Sequence, residues 1–404
     1  MSPGRPVCLT GPVDITTLLD SDNPYPALAQ LRASGPLQLS TRGYWLASGY
    51  EVALEALRHP VMGTGPIAAS YVRALPPGAA RDEMSHRINF LDPSDHPRVR
   101  GLVSKAFTPK RIAMLQPWIA ETSARLLDAL PGTEPVDLLE AFSHQVPSLV
   151  ISELLGIPAE DRDRLTMWSD AVAPLLSVGM QDHQRRAAID AAEEFHAYLR
   201  ALIIERRQSI GTDLLSALII AEEQGERLSE PELMSLVATL YSAGHRTTRD
   251  LFTNGLSVLM REPGGIQAVA DGRWSAADVV GEFLRFETPT HYVSRFAMDD
   301  LVLGGTELAA GARILVLLGA ANHDPAAFDE PDVFAPVSRS SAPLSFAFGA
   351  HYCLGASLAR SEAEIMLRAL TDRWPGVRPA EGASLHWHQR GPFRGLDRLV
   401  VELS

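Results

Sequence analysis

The residues with the clearest capacity for chemistry lie in one stretch, Phe346-Ala-Phe-Gly-Ala-His-Tyr-Cys-Leu-Gly-Ala-Ser-Leu-Ala-Arg360. It reads as a glycine-punctuated loop running into a helix that begins near Cys353. A sulfur at a helix start faces free backbone N–H groups and the positive dipole end, which favours the thiolate, the form that binds metals. Gly349 permits a tight turn, and Gly355 leaves the backbone bare where a flat ligand would press on it. Phe346 and Phe348 would shield the sulfur from water and so tune its donor strength. The default for a lone thiol is a buried structural cysteine. The glycines and flanking residues instead describe a loop that presents one anionic sulfur to a large planar metal cofactor.

A second constellation lies upstream. Residues Glu232–Met260 have the spacing of a long apolar-rich helix, opened by Ser229-Glu-Pro and closed before Pro263. Its centre reads Ala243-Gly-His-Arg-Thr-Thr248. A glycine inside a helix costs about 1 kcal/mol relative to alanine, so Gly244 needs a packing or functional reason. A threonine hydroxyl can bond a carbonyl one turn back and distort the ladder locally. Together they would open a groove wide enough for dioxygen and water. Glu282 and Arg285, three apart on a helical segment 276–286, share one face; taken alone, such a pair is most simply a solvated surface bridge.

These residues need a scaffold. The chain has 404 residues, 46% hydrophobic and 21% charged, ordinary for a globular enzyme with a large core. Length alone suggests two or three domains, yet no linker-like stretch divides it, so a single domain over 1–404 is expected. The fold class expected is mainly α with a small β-rich portion. A helix-rich body runs from about 95 to 287, with breaks near Pro131, Pro158, Gly179 and Gly211. Strand-like alternation marks about 37–50, 291–320 and 384–403. The stretch from Gly63 to Arg87, rich in Gly, Pro and Ala, reads as a loop, and its Gly63-Thr-Gly-Pro lacks the third glycine of a dinucleotide fingerprint. No apolar leader and no run of eighteen apolar residues occur, so a cytoplasmic chain without a membrane span is expected. Two cysteines, Cys8 and Cys353, give neither a disulfide framework nor a structural zinc site. A net charge of −13 argues against nucleic acid as a partner.

The segment Phe346-x-Phe348-Gly349-x-His351-x-Cys353-x-Gly355-x-x-Leu358-Ala359-Arg360 resembles the haem-binding signature of cytochromes P-450. The resemblance implies that family's single-domain fold, with haem b buried between two long helices. It makes Cys353 the axial thiolate, pushing electron density toward O–O cleavage, in a cysteine loop spanning 346–360 with Phe346 and Gly355 against the haem. His96, Arg100, Arg295 and His351 match the family's partners of the haem propionates. Thr247, 106 residues before Cys353, matches the threonine beside bound oxygen, and Gly244 the glycine of the same motif. Glu282 and Arg285, with Arg339 as third member, match the family's structural clamp. Two positions depart from the pattern. Ala347 replaces the usual glycine and should tighten the turn without moving the sulfur. Arg246 replaces the acid that helps relay protons, and it either plays a part of its own or points outward to pair with Asp250, four residues on.

By position the resemblance places Thr239, Ser242, Ala243, His291, Val293 and Phe393 on the substrate side, with Gly63–Arg87 and the helices around Val172–Leu176 as a lid. No flavin, nicotinamide or iron–sulfur motif is evident. Electrons should then come from NADH or NADPH through a ferredoxin reductase and a ferredoxin, docked on the basic segment Arg98–Arg111 with Lys105 and Lys110. The implied activity is that of a monooxygenase acting as a monomer on a medium-to-large organic substrate, a bacterial secondary-metabolite intermediate. Oxidative ring closure, aryl coupling or peroxide-driven oxidation is the alternative. A haem sensor without turnover is disfavoured by Gly244 and Thr247.

Overall fold

The computed structural model describes residues 14–91, 94–132, 134–176, 182–223, 228–337 and 341–404. Arg339 and Cys8, both singled out above, lie outside them. The long helix runs Glu230–Leu259 and starts as its sequence says. Ser229 accepts from the Glu232 N–H while the Glu232 carboxylate accepts from the Ser229 N–H, and Pro231 occupies the first turn. Most of its length is buried, and it packs against the helices Ala79–His86, Gln145–Leu155, Arg162–Val172, Ala276–Phe286 and Ala356–Arg373. The apolar faces of these helices share one continuous core.

The β-rich portion is a five-stranded sheet ordered Leu37–Leu39, Trp45–Ala47, Arg313–Val316, Val293–Ala297, Met62–Gly63. Only the Trp45–Ala47 and Arg313–Val316 pair is parallel. The hairpin Trp387–Arg390 with Phe393–Leu396 lies against the long helix. Among the described residues of 96–286 the structure is mostly helical, as the periodicity predicts, with helices ending at Asp128, Leu155 and Gln208 beside expected breaks.

The stretch 63–87 differs from expectation. It holds two helices, Gly65–Ala74 and Ala79–His86. Pro66 sits in the first turn, where its fixed φ suits a helix. The second helix is tethered from outside, because the Ala79 N–H donates to Glu193 at 2.7 Å. Among the described residues no helix is long and apolar enough to cross a membrane.

Candidate haem and oxygen site

Cys353 stands three residues ahead of the helix Ala356–Arg373, which packs against the long helix. Its N–H donates to the Phe346 carbonyl at 2.9 Å, closing the loop. Gly349 has φ +74°, and a Cβ there would meet the Leu57 carbonyl oxygen at 2.5 Å, so only glycine fits. Ala347 also has positive φ, 55° with ψ −161°, a region natural only to glycine. Replacing the family's glycine thus leaves the turn's path intact and strains it. Ala347→Gly should raise stability by up to about 1 kcal/mol in urea unfolding, the relief of strain exceeding glycine's entropy cost.

The sulfur receives backbone N–H groups of Gly355 and Ala356 and lies near Arg100 and Arg360. These favour the thiolate, as the helix start implies. Burial nevertheless outweighs them and pushes the thiol above its ordinary range, which corrects the sequence expectation. Protein atoms surround the sulfur deeply, yet Cys353 retains accessible surface, as a side chain opening onto an internal cleft does. A cation on that open side is what would ionise it.

Four basic residues from three parts of the chain meet beside it. His96 begins the helix His96–Ala106 and Arg100 follows one turn later; Arg295 comes from a sheet strand and His351 from the cysteine loop. The His96 and His351 rings lie 4.0 Å apart. Burial, with the charges of Arg100 and Arg295, lowers His96 to about 4. Burial, then Arg295, His96 and Arg100, lowers His351 to about 3. Burial alone brings Arg295 down to about 10. No carboxylate contributes to any of these shifts, so Arg100 and Arg295 carry the positive charge beside two histidines held neutral, with Cys353 as the one anionic neighbour among the causes. A Cβ on Gly355 would meet no protein atom within 4 Å, so the chain itself does not require glycine there. Bare backbone beside a sulfur and a cluster short of anions fits a flat, metal-bearing dianion. The residues present therefore suit haem b: Cys353 to hold iron, the four basic groups to hold the carboxylates. When bound, it supplies an iron whose thiolate ligand pushes electron density toward O–O cleavage.

On the long helix Ala243 is exposed and Thr247 half-buried, within a stretch where Leu240, Ser242, Gly244 and Arg246 are half-buried too. The Thr247 hydroxyl donates to the Ala243 carbonyl at 2.8 Å. Gly244 serves packing, since a Cβ would meet Ile151 of a neighbouring helix at 2.9 Å. Arg246 does not pair with Asp250, which instead binds Arg249 at 2.7 Å. It reaches Asp170 on the facing helix at 3.7 Å, and His245 meets the same carboxylate oxygen at 3.4 Å. Although burial pulls the other way, those two side chains with Arg249 bring Asp170 down to about 2.

Thr239 is buried, while Ser242, Val293 and Phe393 are half-buried. His291 departs from expectation: its ring is enclosed against Tyr25, with centroids 6.0 Å apart, and against Gly319. Tyr25 belongs to the helix Tyr25–Ala33, near the start of the chain. In the basic segment Arg98 binds Glu232 and Asp95, Arg111 donates to the Thr212 carbonyl, and Lys105 and Lys110 lie at the surface. Glu282 and Arg285 are not a surface bridge but a buried one, 2.6 Å apart. Missed altogether were Asp170 and Arg87, whose guanidinium donates to Ser242 at 3.3 Å. Both pairings join distant segments and leave no local spacing to find.

Comparison with known proteins follows this geometry. A family model described as Cytochrome P-450 matches residues 69–271 and 276–374. The vitamin D(3) 25-hydroxylase of Pseudonocardia autotrophica is 34% identical over 391 residues, 95% of this chain and 94% of that protein. The polyketide biosynthesis cytochrome P-450 PksS of Bacillus subtilis (strain 168) is 32% identical over 394 residues, covering 95% and 96%. The crystal structure of CalO2 superposes with a TM-score of 0.90 at 28% identity, covering 97% of this chain and 98% of that one. With a cysteine loop built to hold haem and likeness running along nearly its whole length, the chain belongs to the cytochrome P-450 family, as a haem b monooxygenase that incorporates molecular oxygen.

Proposed function

We propose that this cytochrome P-450 hydroxylates or epoxidises a medium-to-large, partly oxygenated organic molecule, an intermediate of bacterial secondary metabolism. One domain over 1–404 carries the reaction, with Cys353 as axial ligand and His96, Arg100, Arg295 and His351 on the propionates. The observation that carries the reading is the open strip Ala243–Thr247 on the helix that packs against the cysteine helix. Oxygen-insertion chemistry needs a hydroxyl that can pass protons there, and Thr247 supplies one. Arg246 is always charged and is held by Asp170, so it donates none. Protons reach the site through Thr247, water and a hydroxyl of the substrate. Substrate packs along Thr239, Ser242, Ala243, Val293 and Phe393. Electrons arrive from NADH or NADPH through a ferredoxin reductase and a ferredoxin, for which the exposed Lys105 and Lys110 offer a docking face. Support for the substrate class comes from PksS, a polyketide biosynthesis protein by its name.

Arg246 favours a second reading, oxidative ring closure or aryl coupling, in which the substrate gives up two hydrogens and dioxygen, with two electrons and two protons supplied, leaves as two waters. Product mass separates the two: hydroxylation or epoxidation adds an oxygen atom, coupling removes hydrogen. With a surrogate ferredoxin system, Thr247→Ala should cut product formed per NADPH consumed roughly ten-fold, the electrons appearing as peroxide. Unimpaired coupling in that variant would overturn the proton path.

A further inference from the structure

Thr239 is 6% exposed, and its hydroxyl is buried with no hydrogen-bond partner. On the same helix Thr247 and Thr248 return their hydroxyls to the carbonyls one turn back. Thr239 leaves this intrahelical bond unmade, and a buried hydroxyl without a partner destabilises the protein that contains it. Two further polar side chains gather beside it. Ser242 donates to the Thr239 carbonyl at 3.2 Å and accepts from the Arg87 guanidinium at 3.3 Å. Arg87 is itself buried, and its Nε also lacks a partner. The next residue, Ala243, is exposed.

The charge of this patch is balanced. Arg87 binds Glu83, which is 1% exposed. The second Glu83 oxygen lies 3.1 Å from Nε2 of His196. The patch offers N–H and O–H donors without surplus positive charge. A carbonyl or hydroxyl oxygen would satisfy the unspent hydroxyl. A carboxylate would be stripped of water next to Glu83, facing a cation already neutralised.

We propose that Thr239, Ser242 and Arg87 form a hydrogen-bonding subsite that selects an uncharged oxygen function of the substrate, a ketone, ester or alcohol, over a carboxylate. This rests on the reading of the cleft as the substrate site. The subsite explains why a hydroxyl is kept where a methyl group would be cheaper: it is paired only when substrate is bound.

The test uses the haem-loaded protein and three probes of equal chain length, undecane, 2-undecanone and undecanoate, titrated by the optical spin-state shift. A flexible alkyl chain lets the oxygen find the subsite wherever the tail settles. The ketone should bind about five- to ten-fold tighter than the alkane, as one added hydrogen bond implies, and tighter than the carboxylate. Thr239→Val, close to the same shape, should bring the ketone-to-alkane ratio near one. The substrate-free variant should unfold at the same temperature as the parent or higher, because an unpaired polar group has been removed. Ser242→Ala should reduce the ratio in the same direction. Equal binding of ketone and alkane by the parent, tightest binding of the carboxylate, or a ratio unchanged by Thr239→Val overturns the proposal. So does a fall in unfolding temperature with the ratio intact, the mark of a structural threonine. Failure of the haem-thiolate reading itself would show earlier, as a missing sulfur-ligated spectrum before any probe is added.

Discussion

Cys353→Ser protein supplied with haem b, then reduced and exposed to carbon monoxide, should lack the absorption band of sulfur-ligated haem entirely. Among the described residues Cys353 is the one free thiol. The serine hydroxyl is isosteric enough to leave the loop folded, held as it is by the bond from the residue 353 N–H to Phe346 and by the turn at Gly349. It cannot supply a soft anionic ligand. A second measurement follows from the raised thiol. A thiol ordinarily holds its proton at neutral pH, burial moves Cys353 further in that direction, and binding as the thiolate must expel that proton. Uptake of haem by the parent should release about one proton more than uptake by the serine variant. A serine variant that kept the sulfur-type band would remove the basis of every functional statement made for this chain.

The sequence disclosed most where local spacing carries the information. The apolar-rich spacing, opened by Ser229-Glu-Pro and closed before Pro263, defines the long helix to within two residues at each end. The cysteine loop is legible because its glycines answer to backbone geometry. What stayed hidden depends on segments distant in the chain. Gly63–Arg87 reads as loop from its Gly and Pro content, yet Pro66 falls in a helix's first turn and Glu193 anchors the next helix from more than a hundred residues away. The resemblance puts His291 on the substrate side by position, but Tyr25 lies against its ring, and nothing local announces that. Arg246 had an obvious partner at the helical spacing in Asp250. Arg249 took it, and the facing helix offered Asp170 instead. The thiol illustrates competing effects: the donors at the helix start were readable, whereas the burial that outweighs them exists only in the fold.

The largest loss of stability expected from a single change outside the cysteine loop comes from Arg285→Ala. The Arg285 and Glu282 side chains are 0% and 3% exposed. Arg285 donates to Glu282 through two nitrogens, and to the carbonyls of Asn322 at 3.1 Å, Pro331 at 2.6 Å and Val333 at 3.1 Å. Glu282 also accepts from the Ala335 N–H at 2.9 Å. One guanidinium thus pins a helix to the segment that leads into the cysteine loop, and its fork is what allows so many bonds at once. Such a buried pair adds little net stability over an apolar substitute, but removing one partner strands the other charge and costs about 3–5 kcal/mol. Against a typical total of about 5–15 kcal/mol, that leaves a marginal protein. Arg285→Ala should therefore show a much lower urea midpoint and a poor haem-to-protein ratio. Arg285→Lys, keeping the charge without the fork, should fall between it and the parent. Glu282→Gln leaves the Arg285 charge without its counterion, yet should cost less than Arg285→Ala, because the amide oxygen still accepts from Ala335 and the guanidinium keeps its three carbonyl acceptors. If Arg285→Ala unfolded within about 1 kcal/mol of the parent, the value of a surface pair, the clamp would have to be regarded as incidental to the placement of Cys353.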